Sequence, residues 1–81
     1  MEQFPELING QVALLRADIN TGIVLDEEYK YATKPDQRVY TIFNGIDEAL
    51  GFTKQILVEN KKIECVIYAF DQKVLHYLQP E

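Results

Sequence analysis

RVYTIFNGIDEALGFTKQILVENKKIECVIYAF, residues 38–70, carries the reading that decides the fold. Its middle has the helical period. Ile46, Ala49, Leu50, Thr53, Ile56 and Leu57 follow the i, i+3, i+4, i+7 rule, Phe52 widens the stripe, and Lys54, Glu59 and Lys61 decorate the other side. Asn44 is placed as N-cap with Asp47 three residues on, and Asp47 and Glu48 sit in the first turn, where the helix dipole favours carboxylates. Asn60 and the lysines after it suit the C-terminal end. Gly51 inside this helix costs roughly 1 kcal/mol against Ala, which a close approach of helix to sheet would explain.

The two ends of the stretch alternate instead with period two. In 38–43, Val39, Thr41 and Phe43 point one way and Arg38, Tyr40 and Ile42 the other. In 63–70, Ile63, Cys65, Ile67 and Ala69 form one face, and Glu64, Val66, Tyr68 and Phe70 the other. The order is strand–helix–strand, with the small residues Cys65 and Ala69 leaving room beneath the helix for Leu50, Phe52 and Ile56.

Outward from there, more strands appear. Residues 11–19 read as one, closed by the hairpin link Asn20-Thr21-Gly22 onto a second over 23–33. Lys34-Pro35-Asp36-Gln37 is a turn. After residue 70, Asp71-Gln72 reads as a two-residue turn, and 73–78 as a fifth strand. Residues 1–10 form an N-terminal arm, because Pro5 disfavours a strand there. The expectation is one α+β domain over 1–81: a five-stranded, mainly antiparallel sheet with one amphipathic helix, in the order β-β-β-α-β-β. Hairpins imply a meander in each half, with the third and fourth strands side by side.

A chain of 81 residues buries only about 60% of its unfolded surface, so a partner subunit would add useful stability. With 47% apolar and 26% charged residues, disorder is disfavoured. The net charge is −5 and the eight Lys and Arg are scattered, which argues against nucleic acid as a partner. The longest apolar run, Val66 to Phe70, is five residues, and the chain opens with no basic or apolar leader. No membrane association and a reduced, cytoplasmic setting are the expectation.

Candidate chemistry fails on spacing. Asp18-Ile19-Asn20-Thr21-Gly22 begins like a calcium loop, but the required Gly and Glu positions hold Ile23 and Tyr29. Asp26-Glu27-Glu28 alternates on its strand, so three carboxylates cannot converge; a solvated edge or a contact with a basic partner remains. Cys65 and His76, on strands that pair as a hairpin, could be adjacent, but a thiol beneath the helix is inert and no nucleophile elbow accompanies it. Glu64, Tyr68 and Lys73 read as a salt link or plain surface. The glycines are isolated, so no phosphate loop exists. No catalytic residue, metal or cofactor is expected.

One helix covers one sheet face. The other would carry Tyr40, Ile42, Val66, Tyr68 and Phe70, with either Leu75 and Tyr77 or Val74, His76 and Leu78. That is more apolar and aromatic than water alone tolerates, and such a patch marks an interface. The interaction face is therefore Tyr40, Ile42, Val66, Tyr68, Phe70 and Tyr77. It can be covered by a second copy, by the arm through Phe4 and Leu7, by a protein partner, or by curling of the sheet. The leading expectation is a small non-enzymatic, bacterial-type protein-interaction or self-association module, with a homodimer or a protein as partner. Two alternatives are an acidic inhibitor or immunity-type protein on a basic enzyme surface, and a small-molecule-binding domain with a pocket at a subunit interface.

Overall fold

The computed structural model describes residues 2–81; Met1, the first residue of the expected arm, lies outside them. The elements are β1 (Val12–Asp18), β2 (Val24–Leu25), β3 (Tyr40–Phe43), α1 (Ile46–Glu59), β4 (Ile63–Tyr68) and β5 (Val74–Leu78). They form a five-stranded antiparallel sheet with one helix, in the expected order β-β-β-α-β-β.

The neighbours within that sheet differ from a meander. β1 lies at the centre: along one side it pairs first with β3 (Val12↔Phe43 to Leu15↔Tyr40) and then with β2 (Arg16↔Leu25, Ala17↔Val24). Along its other side it pairs with β4 from Ala13↔Tyr68 to Asp18↔Ile63, and β4 pairs with β5. β3 and β4 are therefore not side by side; β1 is inserted between them, and α1 bridges over it. The physical reason is burial. In β1, Ala13 on one face and Leu14 on the other are both fully buried, a state only an interior strand reaches.

The helix lies on the face carrying Val12, Leu14, Ile63, Cys65 and Ile67, which with Leu25, Ala49 and Ile56 form the core. Each large apolar side chain taken fully from water, such as Leu14 or Ile67, contributes roughly 1.5–3 kcal/mol. Phe43, Ile46, Leu50, Leu57 and Leu78 pack at its margin. Phe52 stays largely outside, its ring tilted against Phe43 at 5.3 Å.

Three local expectations are corrected. The second strand does not run over 23–33 but stops after Leu25, because the Asp26 carboxylate turns the chain. Its Oδ1 accepts the backbone N–H groups of Glu28 (2.8 Å) and Lys30 (3.0 Å), and its Oδ2 accepts the Gln37 amide at 2.7 Å. Tyr29 is left at φ 64°, and only the bridge Leu25↔Tyr31 resumes pairing. The helix N-cap is Gly45, with no side-chain cap; Asn44 instead accepts from Gln11 Nε2 at 3.2 Å. β4 ends at Tyr68 rather than 70, and the β4–β5 link is a three-residue turn. There Gln72 N–H donates to the Ala69 carbonyl, Ala69 N–H donates to the Lys73 carbonyl, and Gln72 adopts φ 65°. A bulge at Leu75 shifts the β5 register between Ile67↔His76 and Tyr68↔Val74.

Candidate interaction surface

The strand registers bring the sequence-derived face together. On the side away from α1, Tyr40, Leu15, Val66 and Tyr77 make one row across four strands, and Ile42, Ala13, Tyr68 and Val74 the next. Phe70 follows in the β4–β5 turn.

The N-terminal arm closes the middle of this face. The Phe4 ring meets Tyr40 edge-on at 5.3 Å and Tyr68 at 5.7 Å, and the two tyrosines meet at 6.4 Å, the T-shaped geometry that aromatic quadrupoles favour. Glu2 Oε1 anchors the arm by accepting the backbone N–H groups of Val39 (2.9 Å) and Tyr40 (3.2 Å). Desolvation here raises the Tyr40 hydroxyl pKa, with the neighbouring Tyr68 and Glu2 acting the same way.

The arm leaves the β5 end open. Phe70 is 63% exposed, Tyr77 54%, Val74 52% and Leu75 41%. At the opposite end Ile42 is exposed as well. Of the six sequence-derived residues, Tyr40, Val66 and Tyr68 are thus half-buried, and Ile42, Phe70 and Tyr77 face solvent. Sequence reasoning placed either Leu75 with Tyr77 or Val74 with His76 and Leu78 on this face; the structure exposes Val74, Leu75 and Tyr77 together, because the bulge restarts alternation inside β5. Tyr77 is fixed by its hydroxyl, which donates to Glu64 Oε2 at 2.7 Å and accepts from Gln79 Nε2 at 2.8 Å. The Glu64 bond raises the Tyr77 pKa. Glu64 is therefore engaged by Tyr77 and makes no ion pair with Lys73; among the described residues the ion pair formed is Lys30–Glu28, at 3.5 Å and exposed.

Around the corner from Tyr77, on the helix side, Leu57, Val58 and Leu78 line a groove of about 380 Å³ rimmed by Lys54, Lys61, Gln79 and Glu81. Val58 is 71% exposed.

The remaining candidates do not form a site. Asp18 is consumed by its turn: its carboxylate accepts the N–H groups of Asn20 and Thr21 and the Tyr31 hydroxyl. Those bonds, the Asn20 N–H foremost, lower its pKa. Cys65 is fully buried, and that burial pushes its thiol up to about 11. His76 opposes Ile67 rather than Cys65 and is exposed. Among the described residues no cluster of three His, Cys, Asp or Glu is arranged to hold a metal, and no helix is long and apolar enough to cross a membrane.

A feature absent from the sequence reading is Arg16, 1% exposed on the helix face. Its Nη2 donates to Thr41 Oγ1 at 2.8 Å, Thr41 passes a hydrogen bond to Glu27 Oε2 at 2.8 Å, and the guanidinium lies 5.9 Å from the Tyr29 ring centroid. This relay ties β1, β3 and the Asp26 turn together without a direct ion pair. Its signal was the one charge inside the otherwise apolar run VALLRA, residues 12–17.

Comparison of the chain with protein-family models, with curated proteins and with solved structures finds no match.

Proposed function

We propose that this chain is a small non-enzymatic protein-interaction module that works by association through its β5 side. The observation that carries the reading is the set of exposed apolar side chains on and beside β5, Phe70, Val74, Leu75 and Tyr77, left open where the arm stops. Solvated side chains of this kind lower the free energy of the complex by about 25 cal/mol for each Å² withdrawn from water. Tyr and Phe supply large area at low entropic cost.

Light scattering and sedimentation over a wide concentration range test the reading. The parent associates, and Leu75→Lys, at an exposed position, reduces association at least tenfold with unchanged circular dichroism. A parent that stays monomeric at the highest attainable concentration, or a variant that associates as before, overturns it.

A further inference from the structure

We infer that the partner on β5 is a second copy of this chain, added antiparallel to β5 so that two sheets become one; this rests on the interaction reading above. The two edges of the sheet are treated differently. On the β2–β3 side, Glu2 occupies the N–H groups of Val39 and Tyr40, and Ala32 N–H donates to the Val24 carbonyl. Those strands are also only two and four residues long. β5 has five residues, no proline and no formal charge from Val74 to Leu78, and among the described residues only β4 pairs with its backbone. Apart from the bulge at Leu75, which interrupts the ladder at one position, such a strand is a template for another strand, since it carries neither the charge nor the proline that keep edges unpaired.

Charge selects the occupant and its direction. The chain carries 13 carboxylates and a net charge of −5, which opposes self-association unless the seam is free of them. Residues 72–80 contain none; the cation Lys73 lies near their start, and the anion Glu81 follows them. Antiparallel pairing sets Lys73 of one copy beside the Gln79–Glu81 end of the other; parallel pairing stacks like charges. A two-fold axis normal to the sheet places both helices on one side. The groove of Leu57, Val58 and Leu78 then continues across the seam. That extension is needed, since an ordinary interface takes roughly 800 Å² from each partner, about a seventh of the 5392 Å² surface here.

Single cysteines in the full chain test the geometry, with the buried Cys65 as a silent background. Under mild oxidation, His76→Cys links to itself near the axis. Lys73→Cys mixed with Gln79→Cys links at least fivefold more than either variant alone. A parent that sediments as a dimer while Lys73→Cys and Gln79→Cys each prefer self-linking, or while none of the three links, overturns the antiparallel β5 pairing and leaves the interaction reading standing. A strictly monomeric parent overturns both. As a second measurement, Val58→Glu weakens the dimer at least tenfold without altering the monomer's fold; an unchanged dimer removes the helix groove from the interface and overturns the same-side arrangement.

Discussion

At the scale of single residues, the fold shows where a side chain is doing structural service and where it is not. Gly51 faces solvent and nothing lies within 4 Å of where its Cβ would be. The close helix–sheet approach expected from its presence is absent, so the glycine costs helix propensity without return. Gly51→Ala raises stability by about 1 kcal/mol in a denaturant titration. Asp26 is the opposite case. The Lys30 N–H, then the Gln37 amide, hold its pKa below the ordinary 3.8. A depressed carboxylate stabilises the fold at pH above that value, and the contribution disappears as pH falls through the folded-state pKa. Asp26→Asn is therefore less stable than the parent at neutral pH. The gap closes as the solution is acidified below 3.8, read from denaturation midpoints across the acid range.

At the scale of elements, the β4–β5 turn and the N-terminal arm each rest on one residue. Gln72 holds φ 65°, a left-handed conformation costing an L-residue roughly 1–2 kcal/mol, whereas glycine there costs only its greater unfolded-state entropy, roughly 0.5–1 kcal/mol. Gln72→Gly stabilises the hairpin by about 0.5 kcal/mol, seen as a higher melting midpoint. Phe4 holds the arm down on Tyr40 and Tyr68. Phe4→Ala lowers stability by about 1–2 kcal/mol, and hydrogen exchange at Val39 and Tyr40 accelerates as Glu2 lets go. These elements also show what was legible in advance. The helix over Ile46–Glu59 and the buried face Ile63, Cys65, Ile67 were readable because period and burial coincide there. Within the strand expected over 23–33, residues 26–33 were misread because alternation is a statement about backbone extension, and one carboxylate with three hydrogen bonds overrides it locally. The central place of β1 was signalled by its uninterrupted VALL, which a strand wet on one face does not have. The open side chains of β5 were only half legible, since a bulge leaves no mark in residue type.

At the scale of the whole molecule, the fold is a two-layer slab measuring 33 × 30 × 18 Å, with one layer of cover too few. The helix protects one face and the arm the middle of the other, so the β5 end is where apolar surface and unpaired backbone coincide. If that end is closed by association, mass action makes thermal stability depend on protein concentration. The melting midpoint of the parent rises over a hundredfold increase in concentration, and that of Leu75→Lys does not.

The insertion of β1 between β3 and β4 has a further consequence, in time rather than in space. β1 is made first, yet its longest pairing, from Asp18↔Ile63 to Ala13↔Tyr68, joins positions some 45 to 55 apart in the chain. Closing so long a loop costs entropy before any contact rewards it, which places folding toward the slow end for a domain this small. On the ribosome the core strand must wait, with its apolar side chains held only by its short partners β2 and β3, until residue 68 has left the exit tunnel. Its most exposed moment comes before its birth is complete.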